Sequence, residues 1–365
     1  MPINIQNAFQ LSLEDLIRKT FGNQTSIAEV VALSSRAAVT ARLVLRGSGP
    51  PSVFIKHIAA DAFPALQLVD THVEFAEELL AQRFLQSLQP SAPFRANLLA
   101  FDQQGIFLLD DLGESGHSTM RSFDYIIERL SRSLAILHLC TREQATHYYG
   151  MRQEAGLGHP GDDRRRYGGP AQLKRFQVGQ KMLLALAGRR NIDSNEMEQE
   201  LERVRAIVTT PGPFLALIHD DLGNARQTFE QGDDLFLLDF EYARFGLSLI
   251  DLCKPMMGKF EVNLDNGNYL WNDPHFPITL AEAYRKHLEE IGHLCFPDQQ
   301  WYDGLSAALI FHTLTLLGRL DHLEPDRRLV GTVQQNVNGI LFRLLELLPA
   351  HDKIMVPFLN AYFNK

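Results

Sequence analysis

His219-Asp220-Asp221-Leu222-Gly223-Asn224 stands directly after the apolar run Leu215 to Ile218, and Asp239-Phe240-Glu241 directly after Leu235 to Leu238. Side chains leave a core at the end of a buried strand, so both acidic clusters are placed where chemistry can reach them. Gln231-Gly232-Asp233-Asp234 reads as the turn of a hairpin, and Asp239 follows Asp221 by 18 residues across it. Two carboxylates so spaced are expected to meet. Phosphoryl transfer uses such a pair: one accepts the hydroxyl proton and the other holds magnesium against the phosphates. Hard carboxylate oxygens suit Mg²⁺, which keeps waters and takes few protein ligands. Turn-forming, helix-capping aspartates are the plainer account of the same residues.

Outward from this centre, Lys56 sits within Val53-Phe54-Ile55-Lys56-His57-Ile58, an otherwise apolar strand. A mid-strand lysine either snorkels to the surface or finds an anionic partner. The helix expected over 72–88, with Val73, Ala76, Leu80, Phe84 and Leu88 at helical spacing, supplies Glu74, Glu77 and Glu78. Strands are expected at 28–33, 39–45 and 52–58, with Gly47-Ser48-Gly49-Pro50-Pro51 between the last two, and at Gly105 to Leu109. A short helix is expected over 13–21. The Asp110-Asp111-Leu112-Gly113 turn marks a boundary, giving two domains, 1–110 and 111–365. Beyond it helices are expected at 123–139, about 303–320 and 331–348, the last ended by Pro349. Thr279 and Glu282 read as a capping box opening a helix to Ile291. The Gly-, Arg- and Asp-rich residues 150–170 read as a surface loop.

Composition narrows the function classes. The chain has 365 residues, 45% hydrophobic and 22% charged, enough for a sizeable core. A net charge of −9 argues against nucleic acid or an anionic membrane surface as the main partner. Cys140, Cys253 and Cys295 form no CxxC pair, so buried reduced thiols are expected. Met1-Pro2-Ile3-Asn4 has neither a basic start nor an apolar core, which reads as cytoplasmic. The longest apolar stretch, Leu305 to Leu317, is too short and too polar to span a bilayer. The aromatics Phe260, Tyr269, Trp271, Phe276, Trp301 and Tyr302 either line a substrate pocket or, as most such residues do, pack helices.

Taken together, these residues resemble the aminoglycoside phosphotransferase and choline kinase-like family. Its usual signature is His-Gly-Asp, four residues, Asn, an apolar strand and Asp-Phe-Glu. His219, Asp221 and Asp239-Phe240-Glu241 occupy the anchor positions, and Tyr242-Ala243, Gly246 and Asp251-Leu252 continue the pattern. Leu134-Ala135-Ile136-Leu137-His138 is similar to the family's helix, and Gly105 to Gly113 to its interlobe hinge. The resemblance implies an α+β, protein-kinase-like two-lobed fold. A β-rich N-terminal lobe would bind nucleotide, and a mainly helical C-terminal lobe would carry catalysis and substrate. It implies ATP and Mg²⁺ as cofactors and a small hydroxylated molecule as partner, with no nucleic acid and no membrane. By position, Asp221 is the expected base and Asp239 the principal magnesium ligand. Lys56 is expected on the α- and β-phosphates, paired with Glu78; Glu77 is the rival. Adenine is expected against the backbone of Leu109, Asp110 and Leu112. His219 and Asp251 brace the loop.

Three departures stand against this pattern. Asn224 follows Asp221 by three residues rather than five, and Arg226, at the usual place, has no lone pair for a metal. A contracted loop would leave Asn224 as the second metal ligand. Asp220 replaces the small residue between His219 and Asp221 and adds negative charge. The phosphate-covering hairpin, Ser34-Ser35-Arg36-Ala37-Ala38-Val39, lacks glycine. A nucleotide-binding pseudokinase without turnover is therefore the second reading. A third takes His138, His147, His219, Asp220 and Asp251 as the ligands of a metal-dependent phosphohydrolase. Such proteins are all-helical, and the strands before His219 and Asp239 disfavour it.

Overall fold

The computed structural model describes residues 7–35, 39–57, 69–89, 92–102, 106–113, 123–157, 169–189, 194–222, 227–258, 260–262, 269–271, 276–320, 330–350 and 352–364. Along the chain, α1 (Asn7–Phe21) precedes β1 (Ser26–Ser35), β2 (Val39–Arg46) and β3 (Ser52–His57). Then come α2 (Val69–Leu88), β4 (Leu98–Phe101) and β5 (Ile106–Asp110). Four helices follow: α3 (Phe123–Thr141), α4 (Ala145–Glu154), α5 (Gly169–Arg189) and α6 (Ser194–Thr209). Next are β6 (Leu215–Ile218), β7 (Thr228–Gln231), β8 (Asp234–Leu237), β9 (Arg244–Leu247), α7 (Ile250–Met257), β10 (Phe260–Val262) and β11 (Tyr269–Trp271). The chain closes with α8 (Thr279–Gly292), α9 (Asp298–Leu320), α10 (Val330–Leu347) and α11 (Met355–Phe363).

The described residues form two compact units. The first takes those of Met1–Thr119, Met151–Leu157 and Phe229–Tyr242. Its antiparallel sheet has the order β1-β2-β3-β5-β4. Successive strand residues point to opposite faces. Val53 and Ile55 of β3 therefore join Leu43, Leu45, Ile106 and Leu108 beneath Leu13, Leu16 and Ile17 of α1. Phe54 turns the other way, against Phe107, Leu109 and Leu79 of α2. Lys56 shares the parity of Phe54, so the pleat delivers it to the α2 side. The β7–β8 hairpin is tied in by the Leu237 N–H, which donates to the Phe94 carbonyl at 2.7 Å. A 3₁₀ turn, Phe240–Tyr242, packs on α2 with Phe240 fully buried.

The second unit is mainly helical. Its core is the close crossing of α5 on α9, permitted by two glycines. A Cβ at Gly179 would meet the Leu314 carbonyl oxygen at 2.0 Å, and one at Gly318 would meet that of Arg175 at 2.0 Å. β6 pairs antiparallel with β9, from Leu215 with Leu247 to Ile218 with Arg244. α3 packs on α8, and α7 on α9.

Several expectations change. α1 begins at Asn7 and not near Leu13. Of residues 150–170, the start belongs to α4 and the end to α5, while 158–168 lie outside the described residues. Pro170 stands in the first turn of α5, where its missing N–H has no partner to lose. Thr279 does not cap α8: Ile278 is the N-cap, without a side-chain bond, and its carbonyl takes the N–H of Ala281 and of Glu282. The chain is already helical at Ile278, which puts Thr279 one position too late. Cys253 is buried, but Cys295 is exposed. Trp301 packs against Phe214, Phe296 and Tyr284, with the Arg285 guanidinium 5.4 Å from its ring centroid. The side chains of Phe260, Tyr269 and Trp271 lie outside what is described.

Candidate active site

In the first unit Lys56, Glu78 and Asp239 meet. The Lys56 ammonium donates to Glu78 Oε2 at 2.5 Å and to Asp239 Oδ1 at 2.9 Å. Glu78 is 2% exposed, whereas the Asp239 side chain is 46% exposed. Glu77, the other glutamate weighed, pairs instead with Arg152. Burial disfavours a charged lysine, but Glu78, Asp239 and Glu241 outweigh it and hold the ammonium above its ordinary range. Burial raises the Glu78 carboxyl, with Asp239 adding to the rise against the pull of Lys56. Asp239 has φ +60°, a left-handed conformation uncommon for a residue with a Cβ. Three carboxylates around one ammonium leave surplus negative charge on hard oxygens, which fits Mg²⁺. Among the described residues no group of three or more His, Cys, Asp or Glu is arranged to hold a metal. Magnesium needs no such group, because water and phosphate oxygens complete its shell.

At the end of the sheet, Leu109 is buried and Leu112 packs beside it. The Asp110 N–H donates to the Asn97 carbonyl at 3.0 Å, and its carboxylate accepts from the Asn97 amide at 2.5 Å. Asp111 forms an ion pair with Arg42, its Oδ2 2.8 Å from Nε.

Asp221 belongs to the second unit. There Asp251 on α7 accepts the N–H of His219 at 2.7 Å and that of Asp220 at 2.8 Å. His138 Nε2 reaches the same carboxylate at 3.1 Å, and Tyr284 meets His138 Nδ1 at 2.7 Å. Burial raises the Asp251 carboxyl, but the bonds to His138 and the nearby His219 prevail and hold it below the ordinary carboxylate range. The Asp221 N–H points to His219 Nδ1 at 3.3 Å. These histidines are thus used in bracing the loop rather than gathered as a metal set.

Asp220 also has φ +60°. Its carboxylate is 1% exposed and accepts from Gln172 at 2.7 Å and from Arg244 at 3.0 Å, so its added charge is compensated locally. Asp221 itself is held on both oxygens. Lys254 donates to Oδ1 at 3.1 Å, and the Gln227 amide donates to Oδ2. Lys254 also donates to the Asp220 carbonyl. Asn224 and Arg226 lie outside the described residues. Gln172, Gln227, Arg244 and Lys254 were not read from the sequence. For Lys254 a signal existed: it stands three residues after Asp251, hence on the same face of a helix.

The chain has a kinase-like α+β fold, shared with a solved choline kinase. A choline kinase from Cryptosporidium parvum Iowa II is similar at TM-score 0.53 and 12% identity, covering 97% of this chain and 99% of that one. A Plasmodium vivax ethanolamine kinase gives 0.49 at 12% identity, over 91% and 84% of the two chains. An aminoglycoside phosphotransferase from Alicyclobacillus acidocaldarius gives 0.47 at 12% identity, over 91% and 94%. The sequence matches no family model and no curated protein.

Proposed function

We propose that this protein is an ATP-dependent phosphotransferase acting on a hydroxyl of a small molecule. The observation that carries the reading is the buried Lys56–Glu78 pair with Asp239 on the same ammonium. A buried cation held by two acids is costly, and a polyphosphate that needs one justifies it. The fold shared with a choline kinase supports a small hydroxylated acceptor. Residues 1–110 would form the nucleotide-binding lobe and 111–365 the catalytic and substrate-binding lobe.

In this reading Lys56 contacts the α- and β-phosphates, and Glu78 fixes its position. Leu109, Asp110 and Leu112 lie against the adenine. Asp239 would hold Mg²⁺, with Asn224 as second ligand; the ion supplies charge neutralisation on the β- and γ-phosphates. Asp221 orients the acceptor hydroxyl and takes its proton. Positioning and charge stabilisation then account for most of the rate.

Asp221→Asn is expected to keep MgATP binding within about threefold and to lower kcat by at least about 10³-fold. Coupled ADP release over amino alcohols, amino sugars, sugars and nucleosides reads this. An Asp221→Asn protein as fast as wild type refutes the assignment of the base. MgATP binding without ADP release on any hydroxyl identifies a pseudokinase instead.

A further inference from the structure

Building on that phosphotransferase reading, we infer that Lys254 is a second charged catalytic group, donating from its ammonium to the phosphoryl group as it passes to the acceptor hydroxyl. Two residues of α7, one turn apart, treat the 219–221 loop differently. Asp251 accepts the N–H groups of His219 and Asp220, which is bracing. Lys254 goes further: it donates to the Asp220 carbonyl and then to Asp221 Oδ1 at 3.1 Å. Its side chain is 16% exposed and that of Asp221 35% exposed, so the pair opens to the same solvent that an acceptor must displace. An ammonium has three N–H donors, and these two bonds use two. The third is available where Asp221 meets its substrate.

Charge explains why a lysine belongs there. A base carboxylate that faces a phosphoryl group repels it. The Gln227 amide on the other oxygen of Asp221 orients the carboxylate but carries no charge. Asp220 has its own cation: its Oδ2 accepts from Arg244 and Gln172, and Lys254 reaches only its backbone carbonyl. Among the described residues, the positive charge bonded to Asp221 is Lys254. In the step proposed, the acceptor oxygen bonds to the γ-phosphorus and the bond from that phosphorus to the β-phosphate bridging oxygen breaks. The electron pair leaves on ADP. The hydroxyl proton passes to Asp221 and then to water. Charge spreads over the three equatorial oxygens during this transfer, and an ammonium fixed beforehand stabilises it without reorganising.

The test uses the full-length chain with MgATP and whichever hydroxyl gives the fastest ADP release. Lys254→Met and Lys254→Gln are compared with wild type; the glutamine keeps a donor for the Asp220 carbonyl and removes only the charge. Both are expected to lower kcat about 10²–10³-fold with KM for MgATP within threefold. Lys254→Arg is expected to recover at least tenfold of that loss. Thermal stabilisation by MgATP should persist in all three. The extra stabilisation by MgADP with aluminium fluoride, a mimic of the transferring phosphoryl, should vanish in the two uncharged variants. Should Lys254→Met fold poorly, Lys254→Gln decides. Lys254→Gln within threefold of wild type, while Asp221→Asn is inactive, overturns the role of Lys254 and leaves the phosphotransferase standing. A wild-type chain that releases no ADP and ignores aluminium fluoride overturns both.

Discussion

His312 on α9 is buried among groups of its own sign. Burial, together with Lys254 on α7 and Arg319 on its own helix, pushes its pKa down to about 3. An unfolded histidine titrates near 6.5. The native imidazole is therefore neutral while the unfolded one takes a proton as pH falls below 6.5. The stability this group contributes is complete above about pH 6.5 and is lost as pH drops from there towards 3. At pH 5 the loss amounts to about 2 kcal/mol. His312→Leu removes that dependence, so denaturant midpoints between pH 7 and 5 should fall less steeply than in wild type. Parallel slopes would mean that the imidazole is protonated in the fold. Asp251 acts with the same sign at lower pH: its carboxyl is held down, so its contribution is lost as pH falls below the ordinary carboxylate value. Single residues are also where the sequence was least informative about partners. Lys56 was legible because a charge inside an apolar strand demands an explanation, and the pleat fixes which face it leaves from. Lys254, Gln227, Arg244 and Gln172 were not, because each joins the 219–221 loop from a separate element and only the tertiary fold gathers them.

At the scale of elements, strands were easier to read than helix ends. The alternation of Val53 and Ile55 against Phe54 and Lys56 states both the strand and its two cores. The Gln231-Gly232-Asp233 turn follows from chemistry that few residues can supply, with Gly232 at φ +59°. The cap of α8 was misread because capping depends on one residue's backbone, and Ile278-Thr279 admits two readings. The close crossing of α5 on α9 gives a prediction in which two effects compete. Alanine favours a helix over glycine by about 1 kcal/mol. At Gly179 or Gly318, however, the new methyl would lie 2.0 Å from a backbone carbonyl of the other helix, which has no rotamer with which to yield. Overpacking of this kind costs about 1–3 kcal/mol. Gly179→Ala and Gly318→Ala should each lower the urea midpoint, with a net loss of about 1–2 kcal/mol. Gly188→Ala, at a helix glycine whose Cβ would meet nothing within 4 Å, should not. Equal behaviour of all three would mean that the crossing is looser than its geometry indicates.

At the scale of the whole molecule, the proposed division of labour has a thermodynamic consequence. A ligand that binds only the native state stabilises it by RT ln(1 + [L]/Kd), about 2.7 kcal/mol at a hundredfold excess over Kd. For a chain of 365 residues melting as one cooperative unit, that is a rise of about 3–5 °C in Tm. Lys56 and Asp221 belong to different units, and their roles separate by this measurement. Lys56→Met removes the cation proposed to hold the phosphates and leaves Glu78 buried with no ammonium beside it. Its MgATP-dependent shift should disappear, and its own Tm should change too, because a buried carboxylate stripped of its partner is destabilising while it stays charged. Glu78→Gln would leave the lysine on Asp239 and should retain part of the shift. Asp221→Asn should keep the shift whole while losing turnover. Omitting magnesium should reduce the wild-type shift, since the surplus carboxylate charge around Lys56 then faces the polyphosphate without a counter-ion. A wild-type shift that survives Lys56→Met unchanged would put the nucleotide elsewhere on the molecule, and the buried pair would then be only a structural tie between β3 and α2.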